Sequence, residues 1–343
     1  MSLGVLVLGM HRSGTSAATR LVNLVGVPSC IDGDLPATTD DNPRGYWESV
    51  SLTAFNDRLL AALGCDWSCP PLLGAGWEAN PALAGLRAEA ATLFPEVIPT
   101  EQWVWKDPRN CITFDFWVAA LDVRPVIVLV DRNPLEVAAS LGTRDGFGRV
   151  YALALWERYL RRCLESIAGL PTLVTGYDEL LSDPLAWCER VGRFLEGAGV
   201  STAAVDVESA RRYVDPDLRH ARLTSDELLR DPAVSQPQRE LVHALQSLRG
   251  PHESLATPDL SPESASTEAL LAERRRLYPR EHEFIELGEY ARDLGERYLA
   301  LEAYAHDLEK RYADVEKYAR ELAERYAELE RYARELAERT ASS

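Results

Sequence analysis

The stretch that decides the fold is LGVLVLGMHRSGTSA, residues 3–17. Its first six residues are apolar throughout, a pattern typical of a strand buried in a parallel sheet. A turn with Gly9 and Gly14 five residues apart follows, and a helix-forming run begins at Thr15. The backbone N–H groups of such a turn, together with the positive end of the next helix, bind anions. Because Arg12 adds a cation, the stretch predicts a strand, an anion-binding loop and a helix.

Strand-like and helix-like patterns alternate through roughly the first 200 residues. The predicted strands are Leu3–Leu8, Trp103–Lys106, Pro125–Val130 and Pro171–Thr175, and the predicted helices are Thr15–Val25, Trp47–Leu63, Pro134–Ser140, Tyr151–Ile167 and Leu185–Leu195. This alternation predicts an α/β fold, a P-loop-like parallel sheet covered by helices on both faces. Ligands of such sheets bind at the carboxyl ends of the strands, where the glycine-rich turn falls.

Composition excludes several classes of function. The net charge is −17, so binding to nucleic acid is not expected, and any anion must be held by a local basic pocket. The longest apolar runs are too short to span a membrane. The six cysteines are spread through the chain without zinc-site spacing, which favours reduced thiols in a cytoplasmic protein.

Each of three predicted strands ends at a cation. Arg12 lies in the first loop, and Lys106 and Arg109 lie in WVWKDPRNC after the second strand. In DRNPLEVAAS, Arg132 precedes Ser140 by eight residues, so an arginine at a strand end and a serine in the next helix could hold a phosphate. Because parallel strands end at one edge, these residues are expected to converge on one anionic ligand.

These motifs resemble those of the nucleotide-dependent sulfotransferases, in the family's order, over roughly residues 1–220. GMHRSGTSA resembles the loop for the 5'-phosphosulfate end of 3'-phosphoadenosine 5'-phosphosulfate (PAPS), and RNPLEVAAS resembles the 3'-phosphate motif. VTGYDELLSDP is similar to the segment whose tyrosine, here Tyr177, lies near the adenine. KDPR and DNPRGYWES resemble segments of the bacterial, carbohydrate-type branch.

The resemblance implies a sulfotransferase that moves a sulfuryl group from PAPS to a hydroxyl of a carbohydrate or other small metabolite. The donor would be held by Gly9, Arg12, Ser13, Gly14, Thr15, Ser16, Arg132, Ser140, Tyr177 and Arg219. Arg219, together with Arg222, is our candidate for the second wall of the 3'-phosphate pocket. Arg12, Lys106 and Glu48 would be catalytic, with Glu48 as the general base. Asp41, Asp107 and His11 are weaker candidates for the base. A sulfuryl group carries less charge than a terminal phosphoryl group, so no metal is expected to be required.

Two other functions remain open from the sequence. A P-loop kinase or other nucleoside triphosphatase would use Asp131, at the end of IVLVD, to hold magnesium; Thr15 in place of the loop lysine counts against it. The chain could also be a non-catalytic nucleotide-binding scaffold that oligomerises through its tail.

The C-terminal part has a different pattern. Residues 1–235 are predicted to form the catalytic domain, residues 236–283 a linker with short helices that is flexible over Pro251–Thr267, and residues 284–339 a coiled coil. Leucine or valine recurs every seventh residue from Leu287 to Leu336, with a second apolar row three residues earlier. This predicts a left-handed coiled coil roughly 80 Å long. Its charges favour a parallel, in-register homodimer, with a trimer or another partner helix left open.

Overall fold

The computed structural model of the chain describes residues 3–30, 33–36, 45–214 and 223–341. The chain divides into two compact units, Met1–Pro279 and Arg280–Ser343.

A five-stranded sheet lies at the centre of the first unit, within the described residues. The strands β1 (Leu3–Leu8), β2 (Gln102–Trp105), β3 (Val126–Asp131), β4 (Thr172–Gly176) and β5 (Gly250–His252) lie in the order β2-β1-β3-β4-β5. The first four are parallel, and β5 pairs antiparallel with β4, with His252 opposite Thr172. The carboxyl ends of β1, β2, β3 and β4 therefore meet at one edge of the sheet.

Helices fill most of the connections. They are α1 (Thr15–Leu24), α2 (Val50–Ala62), α3 (Ala84–Val97), α4 (Asn110–Leu121), α5 (Pro134–Asp145), α6 (Arg149–Ser166), α7 (Tyr177–Ser182), α8 (Pro184–Gly197), α9 (Val207–Tyr213), α10 (Ser225–Arg230), α11 (Gln236–Ser247) and α12 (Ala265–Ala341), with short 3-10 turns at Trp77–Ala79 and Pro81–Leu83. Each helix for which a pattern was predicted is present, with ends shifted by a few residues.

Alternate residues of the strands enter two separate cores. In β1, Val5 and Val7 pack against α1, α7, α8 and α9, whereas Leu6 and Leu8 pack against α2 to α6 and α11 on the other face. Both faces of the sheet are buried, which explains why β1 and β3 are continuously apolar. The predicted fold class is confirmed: α/β, with a P-loop-like parallel sheet covered on both faces and a long C-terminal helix. The antiparallel edge strand β5 was not predicted.

Pro251–Thr267, which composition predicted to be a flexible linker, belongs with the residues around it to the folded first unit. β5 completes the sheet, and Leu255 and Leu271 are buried in the core. The carboxylate of Glu157, which is itself fully buried, accepts hydrogen bonds from Ser264 N at 3.0 Å and from Thr267 Oγ1 at 2.7 Å. The Ser and Thr residues that suggested a linker therefore fix the start of α12 on α6. The domain boundaries proposed from the sequence remain predictions.

The second unit is helical over its described residues, as the last part of α12. Its large apolar side chains at the seven-residue positions are exposed. Whether they pair in a coiled coil remains a prediction. Among the described residues, no helix is both long enough and apolar enough to cross a membrane.

Candidate functional site

Three residues with positive φ shape the loop between β1 and α1. Gly9, Arg12 and Gly14 have φ values of 152°, 66° and 88°. A Cβ atom at Gly9 would lie 2.6 Å from the carbonyl oxygen of Val130, and one at Gly14 would overlap the ring of Tyr177. Both positions therefore require glycine. Arg12 adopts the left-handed conformation despite its side chain, a backbone state that non-glycine residues seldom occupy.

The loop is joined to the start of α5 by two arginines. Arg12 Nε donates a hydrogen bond to Ser140 Oγ at 2.8 Å, and Arg132 Nη1 donates to the carbonyl oxygen of Arg12 at 2.8 Å. The structure thus brings Arg12 together with Arg132 and Ser140, which follow it by 120 and 128 residues. We call Arg12, Arg132, Ser140 and Tyr177 the arginine cluster.

Arg132 is held from two further sides. Its Nε donates to the fully buried carboxylate of Glu136 at 3.0 Å, one turn into α5. Its guanidinium carbon lies 4.9 Å from the centre of the Tyr177 ring, a cation–π contact. Glu136 also accepts a hydrogen bond from Leu223 N at 3.0 Å. These contacts orient the guanidinium plane at the carboxyl end of β3.

The second part of the site surrounds Lys106, directly after β2. Its Nζ donates to Ser16 Oγ at 3.0 Å and pairs with Glu48 Oε1 at 2.5 Å. The lysine side chain is 1% exposed, whereas that of Glu48 is 16% exposed. The ammonium group therefore connects the first turn of α1 to a carboxylate that solvent can reach. We call Lys106 and Glu48 the lysine–glutamate pair; Ser16 is the hydroxyl partner of the lysine.

The backbone next to Glu48 is strained. Trp47 has a φ of 54°, in the left-handed region, and its ring lies under the guanidinium of Arg20 at 4.8 Å. Ser16 Oγ donates to the carbonyl oxygen of Tyr46 at 2.7 Å. Glu48 lies two residues before α2, outside the helix that was predicted to begin at Trp47. These contacts turn the Glu48 side chain toward the loop.

Two predicted residues in KDPR have structural partners. Asp107 is fully buried; its Oδ1 accepts from Arg109 N at 2.9 Å, and its Oδ2 accepts from Asn56 Nδ2 at 2.8 Å. Arg109 pairs with Asp57 at 2.7 Å and with Asp107 at 3.2 Å. Asp107 therefore fixes the start of α4, which makes it a poor general base, and Arg109 is neutralised by two carboxylates.

Buried polar atoms of the loop have no partner within the described part of the chain. Ser13 Oγ and His11 Nε2 are both inaccessible and make no hydrogen bond there. The His11 ring contacts Trp67, with ring centres 4.5 Å apart. Burial lowers the pKa of His11 well below its usual value, and the nearby cations Arg109, Arg144, Lys106 and Arg12 lower it further. His11 is therefore neutral at physiological pH and can accept a hydrogen bond from a ligand.

A cavity of about 360 Å³ opens at the carboxyl ends of β3 and β4. Its lining combines Arg132 and Tyr177 of the arginine cluster with their neighbours and residues from later in the chain: Asp131, Asn133, Pro134, Glu136, Asp178, Leu223, Leu228, Val242, Gln246 and Arg249. Gln246, near the end of α11, and Arg249, just after that helix, were not predicted, because they lie far along the chain and belong to no recognisable motif. Tyr177 is shared between this cavity and the loop.

Asp131, the candidate magnesium ligand of the kinase hypothesis, lies against a cation. Its carboxylate is 3.6 Å from Arg249, and burial raises its pKa from 3.8 to about 6 against the effect of that arginine. Within the described residues, no group of three or more histidine, cysteine, aspartate or glutamate side chains is placed to hold a metal ion. The predicted candidates Asp41, Arg219 and Arg222 lie outside the described residues.

Comparison with known proteins gives structural similarity only. Neither a family model nor a characterised protein sequence matches the chain. A sulfotransferase domain from the curacin biosynthetic pathway is 13% identical, with a TM-score of 0.37 over 80% of this chain and 97% of that one. The sulfotransferase domain of the Synechococcus PCC 7002 olefin synthase is 16% identical, with a TM-score of 0.38 over 79% and 94%. Sulfotransferase STF1 from Mycobacterium tuberculosis H37Rv is 15% identical, with a TM-score of 0.34 over 72% and 77%. At these TM-scores the similarity carries no argument about activity, which must come from the site.

Proposed function

We propose that the protein is a sulfotransferase that moves a sulfuryl group from PAPS to a hydroxyl of an acceptor, a carbohydrate or another small metabolite. The observation that carries the proposal is the buried ammonium group of Lys106, in contact with both Ser16 of the anion-binding loop and Glu48. A cation, a candidate base and a glycine-rich anion loop within one set of contacts suit the transfer of an anionic group to a hydroxyl.

The arginine cluster supplies the donor site. Arg132 and Ser140 would hold the 3'-phosphate, and the loop amides with Arg12 would hold the 5'-phosphate. The orphaned Ser13 Oγ supports a polar ligand at this loop, since buried polar atoms seldom lack a partner. The cavity next to Tyr177 is large enough for a nucleoside. Arg219 stays our candidate for completing the 3'-phosphate pocket.

The proposed transfer is a displacement at sulfur. The acceptor oxygen forms a bond to sulfur while the bond from sulfur to the 5'-phosphate oxygen breaks, and that phosphate oxygen takes the electron pair. The hydroxyl proton passes to the carboxylate of Glu48. Arg12 and Lys106 stabilise the negative charge on the departing phosphate and on the sulfuryl oxygens. No divalent metal is needed for this charge distribution.

Before the substrates bind, Lys106 and Glu48 compensate each other's charge. A buried ammonium without a counter-charge is costly, and Glu48 supplies that charge. When the sulfuryl oxygens approach Lys106, they replace the carboxylate as its partner. Glu48, which is partly exposed, can then accept a proton from the acceptor hydroxyl.

Ligand-dependent thermal stability tests the proposal. PAPS or its desulfated bisphosphate product should raise the melting temperature without magnesium, because a ligand that binds only the folded state stabilises it. ATP should raise it much less, since it lacks a 3'-phosphate for Arg132 and Ser140. Equal stabilisation by ATP that strictly requires magnesium would favour a kinase or nucleoside triphosphatase and overturn the proposal.

Turnover separates an enzyme from a scaffold. Radiolabelled PAPS incubated with a panel of glycans, phenols and lipids should transfer label to one class of hydroxyl. Binding of PAPS without transfer to any member of a broad panel would point to a non-catalytic nucleotide-binding protein instead.

We further propose that the protein is a homo-oligomer, a parallel dimer formed through residues 284–339. The support is the exposed apolar row on the last part of α12. Light scattering on the full chain at micromolar concentration should give twice the mass of 38.2 kDa. A monomer would exclude self-association without affecting the proposed sulfuryl transfer.

A further inference from the structure

The described residues of the second unit expose an unusually regular apolar surface. Large apolar side chains between 45% and 68% exposed recur along it: Leu287, Tyr290, Leu294, Tyr298, Leu301, Tyr304, Leu308, Tyr312, Val315, Tyr318, Leu322, Tyr326, Leu329 and Tyr332. A helix that presents such a surface is stabilised when another helix covers it. A sequence repeat longer than a heptad indicates which partner this surface fits.

Two kinds of heptad alternate, which gives a repeat of 14 residues. When the aliphatic row from Leu287 is taken as heptad position d, alanine at position a follows tyrosine at g in one kind: Tyr290-Ala291, Tyr304-Ala305, Tyr318-Ala319 and Tyr332-Ala333. In the other kind, tyrosine at a follows arginine at g: Arg297-Tyr298, Arg311-Tyr312 and Arg325-Tyr326. A small central residue therefore always has a large aromatic neighbour, and a large central residue has a charged neighbour.

We infer that the partner is a second copy of this helix, parallel and in register, with narrow alanine layers and wide tyrosine layers in alternation. This inference rests on the homodimer proposed above. In each alanine layer the two tyrosines at g close the sides of the small core. In each tyrosine layer the core is wide, and the arginines at g pair at its edge.

The residues that would face position g across the dimer fit this arrangement. In a parallel dimer, g lies beside the e position five residues further along the partner helix. Five residues after the arginines at position g come Glu302, Glu316 and Glu330, so each of Arg297, Arg311 and Arg325 meets a glutamate. Five residues after three of the four tyrosines come Gly295, Ala323 and Ala337, which are small enough for a ring to pack over. Tyr304, opposite Glu309, is the exception.

Other arrangements lose this fit. A slip of seven residues would place tyrosine opposite alanine at position a, but it would also place Arg311 or Arg325 opposite Ala323. An antiparallel pair would bring the g positions of the two helices together, so arginine would face arginine or tyrosine. A slip of 14 residues would preserve the layers and leave two heptads uncovered at each end.

Contacts within the single helix do not compete strongly with this pairing. Arg297 reaches Asp293 at 3.0 Å and Arg311 reaches Asp307 at 3.5 Å, one turn back. These pairs are exposed, so each contributes little, and a guanidinium has enough donors to contact a second carboxylate. The charges therefore select the register, while the apolar layers supply the attraction.

Disulfide trapping tests the register with a matched pair of variants. Ala305→Cys places a thiol at a central position, where identical residues of an in-register pair come within disulfide distance. Ala303→Cys places the same thiol two residues earlier, on the outward side. Under mild oxidation, the Ala305→Cys chain should run mainly as a covalent dimer on a non-reducing gel, and the Ala303→Cys chain several-fold less. The unsubstituted chain controls for the six native thiols, five of which are buried.

The outcomes distinguish the register of the helices, the homodimer and the sulfotransferase activity. A dimer by light scattering in which both variants crosslink equally, or in which Ala305→Cys does not crosslink, overturns the in-register arrangement and leaves the homodimer. A dimer that crosslinks only when Ala305→Cys is mixed with Tyr312→Cys shows the seven-residue slip. A monomer overturns this inference and the homodimer together, while stabilisation by PAPS would still report independently on the sulfotransferase.

A charge exchange gives a second test. The exchanged chain carries Arg297→Glu, Arg311→Glu, Arg325→Glu, Glu302→Arg, Glu316→Arg and Glu330→Arg. It should dimerise with itself as the unsubstituted chain does, because every g and e pair remains opposite in sign. The two chains should not mix, since each mixed pair would have like charges. Preferential mixing would indicate antiparallel helices and overturn the inference.

Discussion

The two parts of the candidate site are built from different charge patterns. In the arginine cluster, Arg12 and Arg132 lie close together, and their partners include a serine hydroxyl, a backbone carbonyl, an aromatic ring and the buried Glu136. Around Lys106, a cation and a carboxylate are paired directly, and the carboxylate is partly exposed. A region where two guanidinium groups converge on one loop suits the binding of a permanent anion. A pair of opposite charges suits chemistry in which charge and a proton move.

This difference separates the expected effects of substitution. Changes around Lys106 should lower turnover more than donor affinity, and changes in the arginine cluster should do the reverse.

The largest effect is expected for Lys106→Ala. The substitution removes the cation that stabilises the sulfuryl oxygens in the proposed mechanism and leaves Glu48 without its counter-charge, so kcat should fall about 1,000-fold. Arg58→Ala, which breaks the exposed pair with Glu89, should leave kcat unchanged and controls for the general effect of losing an ion pair. Steady-state kinetics with labelled PAPS measures both. A loss of donor affinity that equals the loss of kcat would place Lys106 in the binding part of the site.

The next largest effect is expected for Glu48→Gln. The amide keeps the size of the side chain and cannot accept the hydroxyl proton, so kcat should fall about 100-fold. Affinity for the desulfated bisphosphate should change less than about 3-fold, because Glu48 binds no part of it in the proposed mechanism. Isothermal titration calorimetry supplies that affinity. Normal turnover of the Gln variant would mean that another group, such as His11, takes the proton.

Arg132→Ala tests the arginine cluster as the part of the site that binds the donor. Loss of a planar guanidinium that fits phosphate should weaken binding of the bisphosphate about 30-fold, with a smaller change in kcat. Arg132→Lys keeps the charge without the forked geometry and should recover only part of that affinity. If ATP, which has no 3'-phosphate, loses affinity by the same factor, Arg132 does not contact the 3'-phosphate.

The sequence predicted the sheet better than the contacts between its loops. Leu3–Leu8 and Pro125–Val130 were recognisable because a strand buried on both faces is apolar at every position. β5 was missed because three residues containing a proline carry no periodic signal, and the buried hydrogen bonds of Ser264 and Thr267 are invisible in composition. Motif order did place Arg12, Arg132 and Ser140 at neighbouring strand ends.

Distances between loops could not be predicted. The pairing of Lys106 with Glu48 depends on the backbone at Trp47 and on Ser16, and neither position signals this contact in the sequence. The neutralisation of Arg109 by Asp57 and Asp107 follows from how α2 packs on α4, which no local pattern specifies. The roles assigned to these residues remain predictions that the substitutions test.

The last effect is one on stability and concerns Asp131, which lines the cavity beside Arg132 together with the carboxyls of Glu136 and Asp178. Burial raises its pKa from 3.8 to about 6, and Arg249 acts in the opposite direction. Between these two values the folded protein binds more protons at this site than the unfolded chain does, so stability from Asp131 is present at low pH and is lost as the pH rises through about 6.

Asp131→Asn should therefore flatten this part of the pH dependence. The free energy of unfolding of the unsubstituted chain should fall by about 2 kcal/mol more than that of the variant between pH 4 and pH 7, because each pH unit between the unfolded and folded pKa values changes it by about 1.4 kcal/mol. Urea unfolding at several pH values gives the difference directly, and Asp115→Asn, at a carboxylate whose partner is Arg162 on α6, is the matched control. A variant whose stability falls with pH as steeply as that of the unsubstituted chain would show that Asp131 is already ionised at pH 4. Arg249 would then stabilise the ionised form of this carboxyl by more than burial destabilises it, and protonation of Asp131 would contribute nothing to stability at low pH.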